Sequence, residues 1–382
     1  MSVRAFAAHL GVAVASVTNW EQRGERIRLR HETQEILDTD LSRAPDEVRD
    51  RFEAALNGLP AASASPLTHD GAQRLEYVLA HPGSVDLVTV AYLRERVAEL
   101  DADYDHAPSA SLLGAAGQRH GQIAFLRVHA GNARVQRDLY AAVAESATLM
   151  GQLVWDASLR RDHEAALSYF DQAAQAADEC GDPISAARAQ LRRSYVALYG
   201  QKNPVAGLEM ATQAATTSRT ASNVLAGLAM LHVAEAHAMR QHAQSCEDAL
   251  SAADTHFGKI GEADEAAPLF APTDLSRMAG SCYLYLDDAP RAAHFLTDSL
   301  RRGGGQTKAA AVAAANLALA HARQGKIDEA VGSLHQAIDI VEATRGGGGL
   351  TVAFSAGRAL SRWRSSPAVQ DVHDRLLTLM AA

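Results

Sequence analysis

Apolar residues recur every three or four positions through most of the chain, a spacing that predicts amphipathic helices. Beginning at Ser84, a plausible N-cap, one such helix carries its apolar face on Leu87, Val90, Leu93 and Val97. Two further helices are predicted over residues 109–128 and 132–160. The pattern stays helical from there to the end of the chain. The sequence therefore predicts an all-α fold.

The helices themselves follow a longer repeat of about 40 residues. Five predicted helices share a small, a large and a small residue spaced by four and then three positions. The five sets are Ala166, Phe170, Ala173; Ala206, Met210, Gln213; Cys246, Leu250, Ala253; Ala292, Leu296, Ser299; and Ala330, Leu334, Ala337. Their successive offsets are 40, 40, 46 and 38 residues. A small residue lets a paired helix approach closely, so the period predicts stacked helix pairs.

This spacing resembles the second helix of the tetratricopeptide repeat, most typically at residues 325–331. The offsets are longer than the 34 residues usual for that family. The resemblance implies a right-handed superhelix of helix pairs with a concave groove, closed by a capping helix over residues 366–380. The glycine runs at 303–305 and 346–349 fall at repeat junctions, where we expect flexible turns.

The first residues of the chain predict a different element. Residues 2–21 suggest two short helices joined by a tight turn at Gly11, with Val12, Val17 and Trp20 closing a small core. The outer face of the second helix and the residues after it would then carry Ser16, Thr18, Asn19 and Arg23. Those side chains can contact base edges and phosphates.

The ordered set Ala7, Gly11, Val17, Trp20 and Glu21 resembles the phage-repressor-like (XRE/Cro-type) helix-turn-helix of bacterial transcription factors. The resemblance implies binding to double-stranded operator DNA. The family's fold has a helix before this pair, for which the printed sequence has no room, so we expect that helix to be missing. An amphipathic pair that docks on the rest of the protein is the alternative.

Residues after this segment extend the prediction. Arg26 and Arg28 belong to a basic cluster suited to phosphate contacts, although a solvated charged loop explains the cluster equally well. Helices over 31–41 and 45–56 would complete a DNA-binding domain at residues 1–56. A stretch rich in Pro, Gly and Ser follows, and predicts a linker over 57–71 before a repeat domain at 72–382.

Composition narrows the class of protein. The net charge of -9 in 382 residues excludes a basic surface over the whole molecule, so any DNA contacts must be local. The three cysteines lie far apart in alanine-rich helical patterns, which indicates reduced core residues of a cytoplasmic protein. No apolar run reaches the roughly 18 residues that span a bilayer, so no membrane partner is expected.

The first helix of each pair should line the groove, and its polar and aromatic positions are the candidate ligand contacts. These are Gln152, Trp155, Arg188, Arg192, Tyr195, Tyr199, His232, Glu235, Arg277, Ser281, Tyr285, Asn316 and Arg323. The set suits a peptide or a small organic molecule that bears a carboxylate. Arg188 and Arg192 lie four apart on one helix face and are the preferred anion contact. For each residue taken singly, an ordinary packing or solvated role is the competing interpretation.

The sequence does not favour metal binding, phosphate binding or catalysis. His232, His237 and His242 recur every five residues, which spreads them around a helix instead of stacking them as metal ligands. No phosphate-binding glycine loop, nucleophile elbow or carboxylate pair stands in a suitable context. We therefore expect no metal, no cofactor and no enzymatic activity.

The combination resembles the peptide-sensing quorum regulators of bacteria (RRNPP type). That resemblance implies a homodimer in which a signal bound in the repeat groove controls binding to DNA. The alternative is a repeat scaffold that binds a protein partner and never touches DNA.

Overall fold

The computed structural model describes residues 17, 66–303 and 305–381. The chain forms two compact units, Met1–Asp70 and Gly71–Ala382. Within the first unit, Val17 is helical and buried, at 3% exposure. The predicted DNA contacts lie outside the described residues: Ser16, Thr18, Asn19, Arg23, Arg26 and Arg28. The predicted helices at 31–41 and 45–56 lie outside them as well.

Fifteen α-helices, and no strand, make up the described chain between Pro66 and Ala381. The first five are α1 (Pro66–Ala80), α2 (Leu87–Asp103), α3 (Ser109–His129), α4 (Ala133–Ala157) and α5 (His163–Cys180). Helix α1 begins at Pro66, within the residues predicted as the linker. A proline suits a first helical position, because it lacks the N–H that would have no partner there.

The next five helices are α6 (Pro183–Tyr195), α7 (Pro204–Ser218), α8 (Asn223–Met239), α9 (Ala243–Phe257) and α10 (Asp274–Tyr285). The last five are α11 (Ala289–Arg302), α12 (Lys308–Arg323), α13 (Ile327–Thr344), α14 (Gly347–Leu360) and α15 (Pro367–Ala381). Helix α15 confirms the predicted terminal helix at 366–380. A π-helical turn, Val196–Gly200, follows α6 directly.

Local sequence explains where several helices begin. Asp162, Asp182 and Asn203 each accept a hydrogen bond from a backbone N–H of the helix that follows. These side chains satisfy donors that the first helical turn leaves without partners. The prediction that Ser84 caps α2 is wrong: Ser84 lies in a 3₁₀ turn, and Asp86 accepts from the Thr89 N–H instead.

The helices pack as a repeat array. The pairs α4/α5, α6/α7, α8/α9, α10/α11 and α12/α13 each lie side by side, and the first helix of each pair also contacts the first helix of the next. This arrangement confirms the predicted tetratricopeptide-like all-α fold. None of the described helices combines the length and the apolar composition that crossing a bilayer requires.

The predicted repeat register is correct in four of the five second helices. The three positions are buried in α5, α9, α11 and α13, as Ala166, Phe170 and Ala173 illustrate at 0%, 1% and 0% exposure. In α7 it is wrong by one residue, because Gly207, Ala211 and Ala214 are buried there instead of Ala206, Met210 and Gln213. A side chain on Gly207 would overlap Leu198, so this glycine permits the contact.

The glycines at 346–349 correct another expectation. Gly347, Gly348 and Gly349 are buried and form the first turn of α14, not a flexible turn. A Cβ on Gly347 would meet the Asp156 backbone oxygen at 3.1 Å, and one on Gly349 would meet the Ala311 Cβ at 2.7 Å. The glycines therefore allow α14 to approach α4 and α12 closely. At 303–305, the described residues Gly303 and Gly305 do lie between two helices.

Candidate functional site

The end of the array contacts its beginning. Lys308, the first residue of α12, is 6% exposed and places Nζ 3.0 Å from Asp156 Oδ2 at the end of α4. Nζ also donates to Ser109 Oγ (2.7 Å), which in turn donates to Asp156 (2.8 Å). The Gly347 N–H donates to the other oxygen of Asp156 (2.9 Å). We call these contacts the seam.

The seam extends to the residues that follow α2. The backbone N–H of Lys308 donates to the carbonyl oxygen of Asp105 (2.9 Å), and its ammonium lies 4.1 Å from the ring centre of Tyr104. Ser109 and Lys308 are 199 residues apart in the chain. The first helix of the fifth pair therefore contacts the first helix of the first pair and the segment before it.

Beside the seam, the first helices and the end of α2 contribute a cluster of charged and aromatic side chains, which we call the polar interior. It comprises Asp101, Tyr104, Asp105, Gln152, Trp155, Arg160, Arg188, Arg192, Tyr195, Tyr199, His232, Glu235, Asp274 and Arg277. Nine of these residues belong to the set predicted from the sequence. Their proximity follows from spacings of three and four residues on successive first helices.

One part of the polar interior is an ion pair. Arg188 donates to Asp101 at 2.5 Å, and the Gln152 amide nitrogen lies 3.4 Å from the other Asp101 oxygen. Burial alone would raise the pKa of Asp101. The charge and hydrogen bond of Arg188 outweigh burial, with help from Arg192, and hold that pKa below its usual value. Asp101 is therefore ionised at neutral pH.

A second part is a hydrogen-bonded triad of Tyr199, His232 and Glu235. The Tyr199 hydroxyl donates to the buried Glu235 carboxylate and lies 2.8 Å from His232 Nδ1. Because the hydroxyl proton goes to Glu235, His232 Nδ1 must carry the proton of the second contact. Burial lowers the pKa of His232, so its ring is neutral at pH 7. The π-helical turn Val196–Gly200 places Tyr199 in this contact.

The other two predicted arginines of the polar interior differ in their partners. Arg277 donates to Asp274 at 2.8 Å. Arg192 lies 5.1 Å from the ring centre of Tyr195, but no described residue forms a hydrogen bond or ion pair with its guanidinium. Arg192 thus keeps its donors available in a half-buried position. Of the two arginines predicted to bind an anion, Arg188 is already paired with Asp101, and only Arg192 has no partner among the described residues.

The other four predicted ligand contacts lie farther along the first helices. Asn316 donates to Ser281 at 2.8 Å, and both side chains are buried. Burial and the nearby Glu235 raise the pKa of Tyr285, which is half-buried. Arg323 is exposed and donates to the Leu284 carbonyl and to Asp287. Arg323 therefore lies outside the polar interior, where it connects α12 to the preceding helix pair.

The sequence did not predict the residues that reach the polar interior and the seam through the curvature of the repeat array. Asp101, Tyr104 and Asp105 come from the end of α2, which precedes the recognisable repeats, and Lys308 with Asp156 comes from the seam. The signal available in the sequence was the acidic stretch at 101–105 following an amphipathic helix. An acidic helix end is usually a solvated surface, so this stretch does not by itself indicate a buried site.

Several buried polar atoms have no hydrogen-bond partner among the described residues. Gln152 Oε1, Trp155 Nε1, Arg160 Nε and Arg188 Nε all belong to the polar interior. Gln152 and Trp155 are 3% and 5% exposed. A buried polar group without a partner is costly, so it indicates a ligand or ordered water.

The described residues hold no group of three His, Cys, Asp or Glu side chains arranged for a metal ion. All three cysteines are free and buried. Cys246 and Cys282 lie in the same core cluster, so the fold brings together two thiols that are 36 residues apart in the chain. They fill space in the core between α9 and α10.

Comparison with known proteins finds similarity in fold but not in sequence. No protein-family model and no curated protein matches the chain. Among solved structures, the apo form of the quorum sensor NprR from B. thuringiensis matches with a TM-score of 0.44 and 13% identity, covering 88% of this chain and 99% of NprR. A Rap protein complexed with competence and sporulation factor matches with a TM-score of 0.43 and 13% identity, covering 75% of this chain and 98% of Rap.

Proposed function

We propose that this chain is a ligand-responsive transcriptional regulator. Its polar interior binds a peptide or small organic molecule that bears a carboxylate, and its N-terminal segment binds double-stranded operator DNA as part of a homodimer. The observation that carries the ligand part is the unpaired Arg192 guanidinium beside aromatic rings and buried polar atoms. A planar guanidinium is well matched to a carboxylate.

The DNA part rests on the sequence. The order Ala7, Gly11, Val17, Trp20, Glu21 resembles a helix-turn-helix, and a basic cluster follows it. Burial of Val17 in a helix agrees with its predicted core position. A ligand that prefers one curvature of the repeat array would shift the spacing of the two DNA-binding segments in the dimer. Half-sites lie roughly one helical turn apart, about 34 Å, so small changes in spacing matter.

To test the proposal, the full chain is used to select the DNA that it binds from random genomic fragments. Binding of the selected DNA is then measured by fluorescence anisotropy at several salt concentrations. A regulator gives affinity that falls as salt rises, because binding releases counterions from phosphates. Asn19→Ala should relax sequence preference, whereas Arg26→Ala should weaken all sequences alike. Sedimentation of the complex tests the dimer. Absence of salt-dependent binding, with and without cell extract as a source of ligand, would favour the scaffold alternative.

A further inference from the structure

Two opposite charges of the polar interior remain without partners. Arg192 has none among the described residues, and no described donor reaches the carboxylate of Asp105, whose backbone alone contacts Lys308. Burial raises the pKa of Asp105 in spite of the nearby charges of Arg277, Arg192 and Lys308. Arg192 is therefore close enough to influence Asp105 but does not pair with it.

The charge balance of the interior favours a ligand that brings no net charge. Three ion pairs are complete within it or at the seam: Arg188 with Asp101, Arg277 with Asp274, and Lys308 with Asp156. The side chains outside these pairs are two basic ones, Arg160 and Arg192, and two acidic ones, Asp105 and Glu235. A simple anion would leave Asp105 unpaired next to added negative charge. A molecule carrying both charges satisfies Arg192 and Asp105 together.

Buried polar atoms beside these charges point to a bound molecule independently. The Gln152 amide nitrogen faces Asp101, which leaves Oε1 as an acceptor without a donor. Trp155 Nε1 is a donor without an acceptor. The seam closes the array beside Asp105, which limits the length of a molecule that can lie there.

We propose that the polar interior binds a small zwitterion, a free amino acid or a dipeptide, with its carboxylate on Arg192 and its ammonium on Asp105. This rests on the proposed function, because it names the signal of the same site. The Tyr195 ring, which lies against Arg192, is then positioned to contact the ligand beside its carboxylate. The Gln152 oxygen is positioned to accept a hydrogen bond from the ligand.

Isothermal titration of the full chain with the twenty L-amino acids and a set of glycyl dipeptides tests the proposal. At least one compound should bind, and its N-acetylated and its carboxamide derivatives should each bind at least tenfold more weakly. Equal binding of either blocked derivative would overturn the two-charge site. Absence of saturable binding by every compound at millimolar concentration would overturn it too.

Matched variants locate the site. Arg192→Gln and Asp105→Asn should each weaken binding at least tenfold. Arg193→Gln, one residue along α6 and paired with Asp171, and Asp103→Asn, an exposed carboxylate, should leave it unchanged. Circular dichroism of each variant separates lost binding from lost folding. If the controls weaken binding as much as the site variants, the ligand lies elsewhere and the assignment is wrong.

The two proposals fail in different ways. A zwitterion that binds but never alters DNA affinity supports the site and contradicts the regulator. Ligand-dependent DNA binding that responds to cell extract but to no amino acid or dipeptide supports the regulator and overturns the zwitterion site.

Discussion

Lys308 and Asp156 form a buried ion pair that joins the fifth helix pair to the first, with Nζ 3.0 Å from Oδ2. Their side chains are 7% and 2% exposed. Asp156 also accepts hydrogen bonds from Ser109 and from the N–H of Gly347. One carboxylate thus holds three segments of the chain together beside the polar interior.

Removing the ammonium should destabilise the protein. In Lys308→Met the Asp156 charge stays buried with only neutral donors, so we expect a loss of about 3–5 kcal/mol in the free energy of unfolding. Urea denaturation measures it. Lys326→Met removes an exposed ammonium and serves as the control, with an expected change within about 0.5 kcal/mol. A loss in Lys308→Met no larger than the control would show that the seam is not closed in solution.

The glycines of the seam give a second prediction. An alanine at 349 would place its Cβ 2.7 Å from that of Ala311, a short side chain that has no room to move aside. We expect Gly349→Ala to cost about 1–3 kcal/mol through overpacking. The control is Gly332→Ala in α13, where no atom lies within 4 Å of the added Cβ. That change should stabilise the helix by roughly 0.5–1 kcal/mol, because alanine is the better helix former.

Opposite signs for these two helical glycines, measured by thermal unfolding, would establish the close packing of α14. Equal stabilisation by both alanines would contradict it. The comparison is internal to one chain and one substitution type, so differences in the unfolded state largely cancel.

The sequence predicted much of this structure, and the failures at the seam and at its glycines share a physical cause. Arg188, Tyr195 and His232 come together because local helical spacing decides which face each occupies. The seam was not predictable in this way. Contacts such as Lys308 with Ser109 depend on the small rotation between successive repeats, summed over the whole array.

The glycines at 346–349 show the same limit. Glycine is common both in loose turns and where backbones approach closely, and only the distant surface of α4 distinguishes the two cases. The one-residue error in α7 has a local origin, since Gly207 replaces alanine as the small residue that packs on Leu198. The roles predicted for the ligand-contact and DNA-contact residues stay predictions until the experiments above are done.

Asp105 predicts an unusual pH response. Its pKa is raised by burial, so the folded state binds a proton more tightly than the unfolded state does. Its ionisation therefore costs stability, and the cost grows as pH rises from about 3.9, the unfolded value, through the folded pKa. The penalty reaches its full size above the folded pKa. Asp105→Asn should then be more stable than the parent protein at pH 7, although it loses the ligand contact.

The pH dependence of the stability difference between Asp105→Asn and the parent protein shows whether the difference comes from the Asp105 charge. The advantage of Asp105→Asn should shrink as pH falls through the folded pKa and vanish when Asp105 is protonated in the parent. Denaturation midpoints across pH 4 to 7, run beside Asp103→Asn, measure the trend. A constant difference at every pH would mean that the amide stabilises through packing and not through the removed charge.

Tyr199 should matter for stability through its hydroxyl. It donates to Glu235, whose side chain is 4% exposed, and accepts from His232. Tyr199→Phe keeps the ring but leaves the carboxylate and the imidazole N–H without this partner, so we expect a loss of about 1–3 kcal/mol. Tyr77→Phe, at 59% exposure, removes a hydroxyl that water already solvates and should change stability by less than about 0.5 kcal/mol. Urea denaturation at pH 7 compares the two, and similar small effects would show that water enters the triad and replaces the Tyr199 hydroxyl.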